Sequence, residues 1–217
     1  MADAPKLTLY AEKFWYSPYV FSVFVALREK GLPFDEVAFD LFAGEHKQPA
    51  HRARMLTGRV PALDHDGFTL GESSAIVEYL DEAFPAPKWP RLLPDAPKER
   101  GRARQLMAWV RSDLMAIREE RPTSTMFYAR ATEPLSKEGR AAAEKLFYVA
   151  EQVIPDNGGP LFGSWCIADA DFTFMLHRLL LNDEPVTDKV RRYAQAQWQR
   201  PSLRAFVEHD RPSSPAH

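Results

Sequence analysis

Apolar and polar positions recur along this chain with two different periods, and the change of period divides it. Leu7-Thr8-Leu9-Tyr10 alternates as a short strand does. Val20 to Leu27 is apolar almost all round, which by itself fits a strand or a buried helix. The preceding Ser17-Pro18 selects the helix, because serine can accept a bond from the free amides of the first turn and proline suits that turn; Gly31 then ends it. Phe34 to Phe39 reads as a second strand. Ala62-Leu63-Asp64 and Phe68-Thr69-Leu70 flank Asp66-Gly67, a strong hairpin turn signal. From Ser74 to Phe84, Ile76, Val77, Leu80, Ala83 and Phe84 share one helical face, with Glu78, Asp81 and Glu82 opposite.

After this the pattern is almost purely helical. Ala103, Leu106, Met107, Val110, Leu114 and Ile117 form one long stripe, and further helices are predicted over 136–153, 167–181, 188–199 and 201–209. The seam is marked by Pro85, Pro87, Pro90, Pro94 and Pro97, each of which removes a backbone donor and restricts its predecessor. The expected division is a first domain over 1–84, a proline-rich linker over 85–95 and an all-helical domain over 96–217. A β-α-β unit, a β-β-α unit and then helices alone predict an α/β thioredoxin-like N-terminal domain plus an all-α C-terminal helical bundle.

Composition narrows the function classes without naming one. The 217 residues are 45% hydrophobic and 27% charged, as in ordinary globular chains. A net charge of −2 leaves no electrostatic footprint for nucleic acid, and no basic cluster suggests a membrane surface. The first residues lack the basic and apolar regions of a signal peptide, and no apolar run approaches the ~20 residues that span a bilayer, so a cytoplasmic setting is expected. Cys166 is the single cysteine, which excludes an intramolecular disulfide. The six histidines have no metal-ligand spacing, and no glycine-rich phosphate loop is present, so neither a metal nor a permanently bound cofactor is expected.

Three short segments could carry chemistry. In Arg59-Val60-Pro61-Ala62-Leu63 a proline enters a strand, where it cannot donate to the ladder. It can be a simple edge proline, or a cis bond that turns Val60's peptide groups towards an open edge able to bind an extended peptide. In Gly71-Glu72-Ser73-Ser74-Ala75, Ser73 can cap the helix, the free amides behind it can take a carboxylate, and Glu72 can pair with an ammonium group. From these residues alone, a plain cap beside a solvated glutamate is the better reading. A nucleophile elbow does not fit, since Ala75 stands where its second glycine belongs. Ser17, opening the first helix, can donate to a sulfur atom and favour thiolate, helped by the positive helix end.

In this order and spacing, the segments resemble those of a glutathione S-transferase, and the likeness extends over essentially the whole chain. Ser17-Pro18-Tyr19 is similar to the active-site corner, Val60-Pro61 to the cis-proline and Glu72-Ser73 to the site for the γ-glutamyl head group. Gly163-Ser164-Trp165-Cys166-Ile167-Ala168-Asp169 resembles the family's capping motif, with Cys166 where serine or threonine is usual. The resemblance implies glutathione as co-substrate, with Val60's backbone on the cysteinyl part and Arg59, with His46 or Lys47, at the glycyl end. It implies Ser17 as thiol activator, with Tyr10 and Tyr16 as rivals. Phe14, Trp15, Tyr16 and Trp109 would line an electrophile pocket, the helical domain adding an apolar wall, and the protein would be a homodimer. The expected reaction is attack of the activated thiol on a small electrophile or reduction of a peroxide; the alternative is a non-catalytic ligand carrier of the same fold.

Within the family, Phe14 to Tyr19 together with Phe162 to Asp169 most resembles the bacterial YfcF-type branch. The Ser-Ser-Cys corner of zeta-class isomerases is missing, which disfavours maleylacetoacetate isomerisation. Position 17 also lacks the cysteine needed for a mixed disulfide.

Overall fold

The computed structural model describes residues 5–213. Contacts divide them into two compact units: 5–92 together with 208–213, and 93–207.

The first unit is a four-stranded sheet of order β2-β1-β3-β4, built from β1 (Leu7–Glu12), β2 (Asp35–Phe39), β3 (Ala62–His65) and β4 (Phe68–Gly71). β1 runs parallel to β2 and antiparallel to β3, so the β1–β2 link crosses over through α1 (Pro18–Glu29). Ser17 caps that helix by accepting from Val20 N at 3.3 Å, and Gly31, at φ +64, ends it. Asp66 and Gly67, at φ +52 and +90, make the tight turn whose backbone twist matches that of the flanking strands. α3 (Ser73–Ala83) packs on α1, burying Ile76, Val77 and Leu80. A short 3₁₀ turn (Glu45–Lys47) and α2 (Pro49–Arg52) fill the segment between β2 and β3.

Asp81 departs from the expected polar face of α3. Its Oδ1 accepts from the buried Lys30 ammonium at 2.8 Å and from Leu92 N at 2.7 Å, and Lys30 also donates to the Phe84 carbonyl at 2.8 Å. An ammonium this deep needs a paired charge and further acceptors, and the strongest candidate on the facing helix was a residue that periodicity assigns to solvent.

The second unit is all helical: α4 (Pro97–Ser112), α5 (Met115–Glu120), α6 (Ser124–Phe127), α7 (Lys137–Val153), α8 (Ile167–Leu180), α9 (Asp188–Trp198) and α10 (Pro201–Val207). The predicted single stripe through Ile117 is broken at Asp113. That carboxylate accepts from Leu114 N at 2.7 Å and from Trp109 Nε1 at 2.9 Å, and pairs with Lys145; Leu114 is left at φ +62. A short acidic side chain that bonds its own neighbouring amide offers the backbone an alternative to continuing the helix.

α8 is buried along nearly its whole length and forms the centre of this unit. Asp169 fixes its start. Oδ2 accepts from Cys166 N at 3.0 Å, while Oδ1 accepts from Leu161 N at 2.9 Å and Tyr193 Oη at 2.8 Å. Asp169 therefore reaches back to the cap residue as the sequence motif anticipates, and burial pushes the Cys166 thiol pKa up, keeping it a neutral core group. Among the described residues, no helix is long and apolar enough to cross a membrane.

Candidate functional site

Sheet register gathers the three candidate segments. Tyr10 pairs with Ala62, and Ala62 pairs with Gly71. The exit of β1, the entry of β3 and the exit of β4 therefore lie side by side at one end of the sheet. Residues 13–17, 59–61 and 72–73 are the chain immediately beyond that end. The Val60–Pro61 bond is cis. The paired ladder begins at Ala62, so Val60's peptide groups stand outside it, while its side chain packs on the cluster of Tyr10, Phe39, Met55 and Ala62.

The helix starts one residue earlier than the sequence suggests, so Glu72 and not Ser73 is its cap. Glu72 occupies the cap position of α3 at φ +66 with no side-chain cap bond, and Ser73 is the first helical residue, buried. The first amides of α3 consequently lack a side-chain cap, which leaves the donors of an anion site available at the sheet end. Glu72, the residue immediately before them in the chain, is exposed.

The corner itself is organised by a residue that the sequence did not single out. Glu12, 3% exposed, accepts from Phe14 N at 2.7 Å through Oε2, and from Tyr16 N at 2.6 Å and Ser17 N at 2.8 Å through Oε1. Burial raises its pKa above the ordinary carboxylate value, against the pull of the amides. The available signal was weak: a glutamate at the polar end of a strand ordinarily reads as solvated. Ser17 Oγ accepts from Val20 N, which leaves its proton to be donated elsewhere.

The aromatic residues before Ser17 separate. Phe14 stacks on Tyr16 with centroids 5.9 Å apart and meets Phe42 edge-on at 5.8 Å; Phe42 is 70% exposed and was not anticipated. Trp15 turns the other way. At φ +49 its ring is buried edge-on against Phe24 and stacked on His209 at 3.9 Å, so it is held in the interior and does not join the Phe14–Tyr16–Phe42 shelf. Tyr10 is a core residue, stacked on Phe39 at 5.9 Å.

Trp109 belongs to the second unit, where it lines an open apolar recess of about 300 Å³ with Leu106, Val149, Val153 and Phe162. The loop carrying His46 and Lys47 is tied to the corner through Lys13–Asp40 at 3.3 Å and through Phe42. His46 is half-buried, its Nδ1 without a hydrogen-bond partner among the described residues, and Lys47 and Arg59 are exposed.

Comparison with known proteins gives this geometry a family. Residues 13–88 match the profile described as glutathione S-transferase, N-terminal domain, and residues 97–210 match glutathione S-transferase, C-terminal domain. A glutathione transferase homologue from Burkholderia, crystallised with bound glutathione, is 42% identical and superposes with a TM-score of 0.75 over 93% of this chain and 96% of its own. The maleylacetoacetate isomerase of Pseudomonas aeruginosa is 34% identical over 161 residues, 72% of this chain and 71% of that protein. A bacterial zeta-class maleyl pyruvate isomerase structure is 26% identical, with a TM-score of 0.70 over 92% of this chain and 95% of its own. The likeness reaches zeta-class isomerases, which the missing Ser-Ser-Cys corner had disfavoured, and no YfcF-type branch is singled out. By sequence, sheet order and helical second unit, this chain belongs to the glutathione S-transferase family.

Proposed function

We propose that the protein is a glutathione transferase whose Ser17 hydroxyl stabilises the glutathione thiolate for attack on a small apolar electrophile. The observation that supports this reading is that Ser17 Oγ accepts from Val20 N at the start of α1, so the hydroxyl proton can be donated to sulfur. A free thiol ionises near pH 8.5, and each unit of depression is worth about 1.4 kcal/mol, well within reach of one charge-assisted bond. The helix end behind Ser17 adds to it.

The tripeptide would lie along the sheet end. Glu72 pairs with its ammonium group, the first amides of α3 with Ser73 take the γ-glutamyl carboxylate, and Val60's backbone holds the cysteinyl part. Arg59, with His46 or Lys47, meets the glycyl carboxylate. The shelf of Phe14, Tyr16 and Phe42 supports a flat apolar co-substrate. The sulfur lone pair forms a C–S bond to the electrophilic carbon, and either a leaving group departs with its electron pair or a conjugated double bond accepts the pair and a proton. Reduction of a peroxide by the same thiolate is a further use of this site.

A second reading, glutathione-dependent cis–trans isomerisation, is favoured by the 34% identity to a protein named maleylacetoacetate isomerase. It uses the same thiolate, added to a double bond and then expelled. A dianionic diketo acid needs cations at the co-substrate side, where this chain presents an aromatic shelf, and conjugation is accordingly preferred.

Calorimetry with glutathione, followed by parallel assays with chlorodinitrobenzene and maleylpyruvate, tests both. Saturable binding with conjugation dominant supports the proposal; isomerisation dominant selects the second reading. No binding at millimolar glutathione abandons both in favour of a non-catalytic carrier. Ser17→Ala should cut conjugation about 100-fold at neutral pH with glutathione affinity nearly intact.

A further inference from the structure

The segment after α10 returns to the first unit and takes hold of the corner. Arg211 Nε donates to the Trp15 carbonyl at 3.0 Å, across 196 residues of sequence, and its Nη1 donates to the His209 carbonyl at 2.9 Å. His209 stacks on the Trp15 indole and is itself fixed by Glu36 Oε2 at 3.0 Å and the Asp210 carbonyl at 2.9 Å. The peptide joining Trp15 to Tyr16 is thus gripped at both ends. Its carbonyl goes to the Arg211 guanidinium, and its N–H goes to Glu12 Oε1 at 2.6 Å. The same Oε1 takes the next amide, that of Ser17, at 2.8 Å. Trp15 is held at φ +49, a conformation unfavourable for a bulky residue and kept only where its surroundings over-determine it.

We propose that Arg211 is a positioning residue for thiol activation: with Glu12, it clamps the Trp15–Tyr16 peptide and so sets where the Ser17 hydroxyl points. The inference rests on the Ser17 reading above. A displacement of about 1 Å at a reacting group can cost ~100-fold in rate, so a clamp one peptide upstream has leverage.

The experiment compares wild type, Arg211→Gln and Arg211→Lys, reading the ionisation of bound glutathione by thiolate ultraviolet absorbance, the pH profile of kcat, and glutathione affinity by calorimetry. In Arg211→Gln the bound thiol should titrate about half to one unit higher, and kcat at neutral pH should fall roughly three- to tenfold and recover in alkali. Glutathione affinity should stay within about twofold, because Val60, Glu72 and Ser73 hold the tripeptide. Arg211→Lys, which keeps a cationic donor, should restore most of the loss. In a Ser17→Ala background, Arg211→Gln should move the thiol midpoint no further. A wild-type thiol midpoint and pH profile in Arg211→Gln overturns the inference, as does a loss of kcat that merely tracks thermal stability or glutathione affinity. Absence of glutathione binding to wild type instead removes the functional reading on which the inference stands.

Discussion

The two units use the same pair of devices and put them in opposite environments. Each starts its central helix with a buried carboxylate that collects backbone amides: Glu12 before α1 and Asp169 at the first turn of α8. Each also stacks a histidine on a tryptophan at 3.9 Å, His209 on Trp15 and His177 on Trp198. In the second unit both devices are sealed. Asp169 is 0% exposed, and His177 Nδ1 donates to the Thr173 carbonyl at 2.8 Å, with burial lowering its pKa from 6.5 to about 4. In the first unit both reach towards water. Tyr16 and Ser17, which donate to Glu12, are only half-buried, and both nitrogens of His209 face acceptors, an arrangement that favours the protonated ring and raises its pKa. A capping carboxylate in a closed core is a staple; beside an open sheet end it becomes part of a site.

The comparison breaks most visibly at Asp169. Asp169→Ala strands two buried amides and the Tyr193 hydroxyl, and should destabilise the protein by about 3–5 kcal/mol in urea unfolding. A loss below about 1 kcal/mol would mean that water replaces the carboxylate and that the core is not sealed.

His177 gives the next effect, and its sign is fixed by its pKa. The unfolded chain binds a proton near pH 6.5, while the native ring refuses it until about 4. Its contribution to stability is therefore present above 6.5 and lost as pH falls towards 4, about 3 kcal/mol in all. In His177→Gln the fall in unfolding free energy between these pH values should shrink by that amount; an unchanged fall assigns acid sensitivity to other groups.

Glu12→Ala should cost less stability, about 1–2 kcal/mol, because solvent can reach two of the abandoned amides. It should cost more function, with kcat for glutathione conjugation down about 100-fold in the folded enzyme. Equal stability losses for Glu12→Ala and Asp169→Ala, with turnover preserved in the former, would erase the distinction between site and staple.

Much of this architecture was legible in local signals. Ser17-Pro18 selected a helix where hydrophobicity alone left two options, Asp66-Gly67 dictated the hairpin, and the Cys166-to-Asp169 spacing announced the start of α8. What escaped notice depends on distant partners. Asp81 read as a polar-face residue and Glu12 drew no reading at all, because no short-range pattern reveals a carboxylate turned inward to amides or to a lysine 51 residues away. Trp15 read as pocket wall because its positive φ, which separates it from Phe14 and Tyr16, has no signature in a non-glycine residue. The return of residues 208–213 to the first unit left no mark in the helical periodicity.

The smallest predicted effect concerns His209 and tests whether its stack on Trp15 is a charged version of the one in the second unit. Burial pulls the pKa of His209 down, but the bond and charge of Glu36 and the bond to the Asp210 carbonyl outweigh it even with Arg211 opposing, and the net pKa is raised above 6.5. A raised histidine stabilises the folded state at pH below its unfolded value, and that contribution disappears as pH rises through the folded value. Glu36→Gln removes the dominant favourable partner and should bring the His209 midpoint, followed by its ring resonances in NMR, down to or below 6.5. The His177 midpoint should not move. If His209 titrates identically in wild type and Glu36→Gln, its charge is not set by that pair, and the two stacked histidines differ only in depth.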